Sequence, residues 1–263
     1  MPGSHRPFLL VMSAQNKMVM KPTAKGDSTK LNIVLVHGMW FDASSWSKVI
    51  PILQDAGHTI IAVELPLHSV EDDVATVKRA IDLIGGPVIV VAHAYGGFVI
   101  TNAAYNNPNV KGLVYVAAPA PMEGQSMSTT VPKVYDGLPK EFEGKPLLIF
   151  DNGGFAYINP TPFQYFLAHD VDQAEANILA VVQKPGNLTG IVNEKSGPPA
   201  WKQLPIWYQV SENDRAIPPA VERMFARQMN ATTISLPSSH ASLISHPNEI
   251  AQLILNATKG ISK

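Results

Sequence analysis

The chain has 263 residues, enough for one large domain or two small ones, and 46% of them are hydrophobic, so a sizeable core is expected. Its 20 basic and 21 acidic residues nearly cancel and form no basic block, which argues against nucleic acid or an anionic membrane surface as partners. The absence of cysteine excludes disulfides, a thiolate nucleophile and a cysteine-based zinc site, and no apolar run is long enough to span a bilayer. We expect a soluble protein, with the cytoplasm favoured over secretion, although missing cysteines do not settle the compartment.

The first thirty residues differ from the rest of the chain. They are polar, they show no sustained periodicity, and their only apolar segment covers residues 8–12. That segment is too short for the hydrophobic core of a good signal peptide. We interpret residues 1–30 as a poorly ordered N-terminal extension and assign residues 31–263 to one domain.

From residue 31 onward, β-branched apolar runs alternate with amphipathic segments. One of these segments begins with Glu71, Asp72 and Asp73, which the positive end of a helix dipole favours in a first turn. The alternation predicts an α/β fold with a mostly parallel sheet and helices on both faces. The expected strands are 32–36, 59–64, 88–91, 112–117, 206–210 and 232–236, and the expected helices are 44–56, 70–84, 98–106, 219–229 and 247–257.

The alternation stops between about residues 120 and 204. Proline and glycine are frequent there, aromatic residues cluster, and helical patterns appear at 162–168 and 171–182. We interpret this segment as a helical cap inserted over the sheet. Aromatic side chains pack in a cap more often than they face a ligand, so a minority of them should line a pocket. The candidate pocket residues are Trp40, Phe155, Tyr157, Phe163, Phe166 and Trp201.

One stretch, VIVVAHAYGGFVI at residues 88–100, has the pattern of a buried strand, a glycine turn and a helix. That is the context of the G-x-S-x-G nucleophile elbow, in which a strained turn presents a serine. Here the apex is Ala94, which carries no nucleophile.

Other chemistry-bearing residues follow neighbouring strands, where the carboxyl ends of a parallel sheet form a site. The backbone N–H groups of Met39, after the first strand, and of Tyr95, at the elbow, are candidates for an oxyanion hole. Asp214 and His240 follow the last two strands, and a histidine base needs a carboxylate behind it. The order of position 94, acid and base along the chain is that of the α/β-hydrolase triad.

Each of these residues also has a structural interpretation. Asp214 is suited to capping the following helix, and His240 could be an ordinary loop histidine. Glu212 competes with Asp214 for the role of the acid. His37 and His93 flank glycine turns, and we interpret both as structural.

Four segments together resemble the α/β-hydrolase superfamily, in particular its small serine esterase branch, which includes plant methylesterases and hydroxynitrile lyases. They are VLVHGMWFDASSW (34–46), VVAHAYGGFVI (90–100), VSENDRAIPP (210–219) and SSHASLISHPNEIAQLI (238–254). The resemblance implies serine in place of Ala94, Asp214 as acid, His240 as base, and the amides of Met39 and Tyr95 as the oxyanion hole. It also implies that the cap forms the acyl or alcohol pocket.

The function implied is hydrolysis of a small apolar or aryl carboxylic ester, or of a lactone, through an acyl-enzyme, with no metal or organic cofactor. We interpret Ala94 as a deliberate replacement of serine, because alanine removes only one oxygen and spares the fold. The main alternative is a natural ligand-binding relative that has lost its nucleophile. A hydroxynitrile lyase is disfavoured because no lysine follows His240 closely, and a cofactor-free dioxygenase is a further alternative.

Overall fold

The computed structural model describes residues 30–131 and 139–261. The predicted N-terminal extension therefore lies outside the described residues, except for Lys30. Within the described ranges the strands, in chain order, are β1 (Asn32–Val36), β2 (Ile60–Val63), β3 (Val88–His93), β4 (Val110–Val116), β5 (Leu148–Phe150), β6 (Phe155–Ile158), β7 (Gly186–Asn187), β8 (Ile206–Ser211) and β9 (Thr232–Leu236).

The helices lie between these strands along the chain and after the last of them. They are α1 (Ile50–Asp55), α2 (Val70–Ile84), α3 (Gly96–Ala103), α4 (Met127–Thr130), α5 (Pro160–Leu167), α6 (Gln173–Val182), α7 (Leu188–Ile191), α8 (Pro219–Gln228), α9 (Ser242–Ser245) and α10 (Pro247–Ile261). Short 3₁₀ turns cover Ala43–Trp46, Lys140–Phe142 and Ala200–Lys202. No helix among the described residues has both the length and the apolar character needed to cross a bilayer.

A six-stranded sheet in the order β2-β1-β3-β4-β8-β9 forms the centre, and every pairing in it is parallel. Alternate side chains of the inner strands enter two separate hydrophobic cores, one on each face of the sheet. Val34 and Val36 pack on the side of α2, α3 and α8, whereas Ile33 and Leu35 pack on the side of α1 and α10. The predicted α/β class, with a parallel sheet covered on both faces, is confirmed.

The expected helix over residues 44–56 is divided in the structure. Ala43–Trp46 forms a 3₁₀ turn, and α1 begins only at Ile50, with Pro51 in its first turn. Proline has no N–H and disfavours helical geometry in the residue before it, so a helix readily begins there and does not continue through it.

The segment between β4 and β8 contains sheet as well as helix. β5, β6 and β7 form a small antiparallel sheet in that order, beside α4 to α7. The sequence predicted only helices here, because strands of two to four residues are too short to show the alternation that identifies a strand. The segment nevertheless packs over the carboxyl ends of the central strands, since its residues share a cavity with Ala94 and His240.

Candidate active site

The turn between β3 and α3 holds Ala94 in a left-handed backbone conformation, with φ of +46°. Such a conformation costs a non-glycine residue about 1–3 kcal/mol. The turn is held by close packing: a Cβ on Gly96 would lie 2.8 Å from the His37 carbonyl oxygen, and one on Gly97 would lie 2.6 Å from the Pro119 carbonyl oxygen. The geometry is that of a nucleophile elbow, with a methyl group where a nucleophile would stand.

Asp214 and His240 form a buried pair at the ends of β8 and β9. His240 Nδ1 donates to Asp214 Oδ2 at 2.5 Å, and the Asp214 side chain is fully buried. The other oxygen of Asp214 accepts the N–H groups of Ala216 at 2.6 Å and Ile217 at 2.8 Å. The carboxylate thus fixes the tautomer of His240 and leaves its Nε2 as the atom able to take a proton.

The competing carboxylate, Glu212, is placed elsewhere. It forms an ion pair with Arg223 at the protein surface. Only Asp214 of the two acidic candidates makes a hydrogen bond to His240 in the structure.

Two further histidines, His37 and His93, brace the site from behind. His37 Nε2 accepts the Leu65 N–H at 2.9 Å, so its Nδ1–H donates to the Gly38 carbonyl at 2.8 Å. His93 Nε2 donates to the His240 carbonyl at 2.8 Å. Burial lowers the pKa of both rings, and the nearby His240 ring lowers the pKa of His93 further. Neutral, hydrogen-bonded rings of this kind have a structural role.

The Met39 and Tyr95 amides flank Ala94. Neither N–H donates a hydrogen bond to another backbone or side-chain group within residues 30–131 and 139–261. Both residues line the same cavity as Ala94 and His240. Unpaired N–H groups beside a cavity can stabilise negative charge on an oxygen that is bound within their reach.

The inserted segment holds the loop that carries Met39. The Trp40 indole N–H donates to the Ala156 carbonyl on β6 at 3.1 Å. On β7, a Cβ at Gly186 would lie 2.9 Å from the Met39 sulfur, so the two are in close contact. The cap therefore contributes to the position of the Met39 amide as well as to the walls of the cavity.

A cavity of about 480 Å³ opens over Ala94, within the size range of small-molecule sites. Its walls are largely apolar and come from both the sheet and the insertion. They are formed by Met39, Trp40, Ala94, Tyr95, Met127, Ser128, Val131, Leu148, Phe166, Leu188, Ile191, Val192, Ala216, Ile217 and His240.

The structure places two of the six aromatic pocket candidates, Trp40 and Phe166, in these walls. The other four lie elsewhere, which corrects the prediction for them. Phe163 is fully buried beside Phe41, and the buried Trp201 donates its indole N–H to the Pro121 carbonyl. Phe155 and Tyr157 belong to β6, where Phe155 contacts His68. These four aromatic side chains pack within the cap and at its junction with the sheet, where they bury apolar surface.

Two buried carboxyl groups near the site were not assigned there by sequence reasoning. Asp73 accepts the Tyr95 hydroxyl at 2.7 Å and the Leu67 N–H at 2.8 Å. Burial raises the pKa of Asp73 to about 6. Glu222, on α8, accepts the Ser211 N–H at 2.8 Å, and burial beside Asp214 raises the pKa of Glu222 well above its ordinary value.

The fold and site define an alpha/beta hydrolase: the chain belongs to that family, whose sequence profile matches residues 33–253. It is 27% identical to a carbendazim hydrolyzing esterase from Nocardioides sp. (strain SG-4G) over 84% of this chain and 97% of that protein. It is 25% identical to methylesterase 1 of Arabidopsis thaliana over 75% of this chain and 83% of that protein. Among solved structures it resembles polyneuridine aldehyde esterase, with a TM-score of 0.74 over 87% and 99% of the two chains at 18% identity. The chain is therefore of the esterase type within its family.

Proposed function

We propose that this chain is the scaffold of a carboxylic ester hydrolase in which Ala94 occupies the position of a serine nucleophile. The observation that carries the proposal is the strained backbone of Ala94, presented at the floor of an apolar cavity beside the Asp214–His240 pair. Strain at a non-glycine residue is typical of positions where a side chain must be aimed at a ligand.

With a serine hydroxyl at position 94, the reaction proceeds by acyl transfer. The hydroxyl attacks the ester carbonyl while His240 Nε2 takes its proton, and Asp214 stabilises the charged ring. The Met39 and Tyr95 amides stabilise the negative oxygen of the tetrahedral intermediate. His240 then gives the proton to the leaving alcohol and activates water for hydrolysis of the acyl-enzyme.

The cavity walls favour a small apolar or aryl ester, or a lactone, as substrate. Most side chains in the walls are aliphatic or aromatic, and none of the described ones is a lysine or an arginine. A cyanide anion leaving a hydroxynitrile would require such a cation, so the lyase function is not supported by this cavity. A non-catalytic ligand-binding protein is the competing function, because the same cavity also suits binding alone.

The test compares the chain with its Ala94→Ser variant on a panel of aryl esters, alkyl esters and lactones. Restoring the hydroxyl should raise kcat by about 10³-fold or more, because nucleophile and base act as a unit. It should leave substrate affinity nearly unchanged, because the hydroxyl acts mainly in the transition state. An organophosphonate ester should label the variant covalently and leave the parent chain unlabelled.

Two controls isolate the source of the activity. Ser128 also lines the cavity, so Ala94→Ser combined with Ser128→Ala should retain the gain. Ala94→Ser combined with His240→Ala should be nearly as slow as the parent chain. A folded Ala94→Ser variant that binds ligands but neither hydrolyses them nor accepts the label would favour the binding function.

A further inference from the structure

A second buried carboxyl group, Glu222, lies near Asp214 and outside the walls of the cavity. Glu222 lies on α8 and is fully buried. Its Oε2 accepts the N–H of Ser211, the last residue of β8 and the start of the turn that carries Asp214. Glu222 is therefore fixed to the strand end from which Asp214 projects.

The other oxygen of Glu222, Oε1, is buried and has no hydrogen-bond partner among the described residues, and Asp214 is the nearby carboxyl group that influences Glu222 most. Burial, together with the nearby Asp214 carboxyl, raises the pKa of Glu222 well above its ordinary value. Two buried carboxyl groups that raise each other's proton affinity favour a state in which one of the pair carries a proton.

The contacts of Asp214 identify which group carries the proton. The two oxygens of Asp214 already accept three hydrogen bonds, from His240 Nδ1 and from the amides of Ala216 and Ile217. A carboxylate has about four acceptor positions, which leaves one for a further donor. Glu222 accepts a single N–H, from Ser211, so Oε1 is the oxygen free to hold a proton.

We propose that Glu222 is a positioning residue that, as a neutral carboxylic acid, donates a hydrogen bond to Asp214 and fixes its orientation toward His240. This deepens, and rests on, the proposed role of the Asp214–His240 pair. Glu222 touches neither the cavity nor a ligand, so it acts only through Asp214. The donor also spreads the negative charge of Asp214 over four partners, which moderates the basicity of the pair.

Other charged groups near Glu222 fit this arrangement. Glu212 adds negative charge nearby but is paired with Arg223 at the surface. The Tyr208 hydroxyl donates to the Ala118 carbonyl, and burial raises the pKa of Tyr208, so the phenol stays neutral. Both neighbouring carboxyl groups, Asp214 and Glu212, favour the protonated form of Glu222.

The first test uses the chain as it stands and needs no activity. Infrared spectroscopy at pH 8, where Asp73 is ionised because its pKa is about 6, should show the C=O stretch of one protonated carboxyl group. Glu222→Gln should remove this band, and the matched Glu212→Gln control should keep it. A spectrum without the band, or one in which Glu222→Gln leaves it unchanged, overturns the proposal.

The second test measures positioning, in the Ala94→Ser background. Glutamine can still donate to Asp214 and accept from Ser211, so Glu222→Gln should retain most of kcat. Glu222→Leu removes the donor and should lower kcat by up to about 10²-fold, the loss that a misplacement of about 1 Å can bring. KM should not change, and the pH profile of kcat should shift to higher pH because Asp214 becomes a stronger base.

The two tests separate the failure of this proposal from the failure of the proposed function. If Ala94→Ser hydrolyses no ester, the infrared result still decides whether Glu222 is the neutral partner of Asp214. If Ala94→Ser is active and Glu222→Leu and Glu222→Gln lower kcat equally, or Glu222→Leu leaves the pH profile unmoved, the positioning role is wrong. Circular dichroism of each variant checks that its fold is intact.

Discussion

Compared with the parent chain, the Asp73→Asn variant should gain stability as the pH rises from acidic to neutral. The Asp73 carboxyl is fully buried, and it accepts hydrogen bonds from Tyr95 and Leu67. Burial raises its pKa from 3.8 to about 6. The folded protein therefore holds this proton more tightly than the unfolded chain does.

The sign and size of the effect follow from that difference. A raised pKa in the folded state favours folding below pH 3.8, and this contribution is lost as the pH rises through about 6. The full difference corresponds to about 3 kcal/mol in the free energy of unfolding. Asparagine is neutral at every pH, and its amide can still pair with the Tyr95 hydroxyl, so Asp73→Asn avoids the loss.

Urea denaturation between pH 4 and 7.5 provides the measurement. The free energy of unfolding of Asp73→Asn minus that of the parent should rise by about 2–3 kcal/mol over this range. Asp72→Asn is the matched control, because Asp72 lies in the same first turn of α2 but is exposed. It should lose about 0.3–1 kcal/mol of favourable helix-dipole interaction, without the rise across pH 6. Equal and pH-independent differences for both variants would refute the assignment of a raised pKa to Asp73.

Two further predictions concern the frame of the site. Gly97→Ala places a Cβ 2.6 Å from the Pro119 carbonyl oxygen and 2.8 Å from the Ala118 Cβ, so it should lower the free energy of unfolding by about 1–3 kcal/mol in thermal or urea denaturation. The control Gly153→Ala, on the exposed β5–β6 turn, should not lower it. Equal stabilities of the two variants would contradict the close packing at the elbow. Trp40→Phe removes the hydrogen bond from the indole N–H to the Ala156 carbonyl. In the Ala94→Ser background, Trp40→Phe should lower kcat for an aryl ester more than Trp201→Phe does, because Trp201 lies outside the cavity walls. The reverse order would show that the Trp40 contact does not hold the Met39 loop.

The central sheet was predictable from sequence because its inner strands β1, β3, β4 and β8 are largely buried runs, and helices of ordinary length separate the strands along the chain. Val88–His93 pairs with strands on both sides and reads as continuous apolar sequence, as a strand buried on both faces must. The short strands β5 to β7 were not predictable, because their pairing depends on contacts across the insertion and not on local periodicity.

The buried carboxyls show a similar limit. Asp73 falls on the buried side of α2 with Val70 and Val77, and Glu222 falls on the buried side of α8 with Phe225. An acidic residue within an apolar stripe is a visible signal of a buried carboxyl group. For Asp73, the helix dipole already explained an acidic residue in the first turn, so the sequence offered no reason to look for a buried partner. The sequence shows that such a group is buried; only the structure shows which partner it meets.

The backbone of Ala94 is held in its left-handed conformation by the residues around it and not by its own side chain. The Ala94 N–H donates to the Val116 carbonyl at 3.1 Å, and the Ala94 carbonyl accepts the Gly97 N–H at 2.8 Å, so both ends of the turn are fixed. Gly38 lies so close that a Cβ there would be 2.7 Å from the Ala94 Cβ. These contacts hold any small residue at position 94 at positive φ, which explains how the site can keep its geometry without a hydroxyl. In the proposed hydrolase, the strain of about 1–3 kcal/mol that this turn maintains at position 94 would serve to aim a serine hydroxyl at a substrate beside His240.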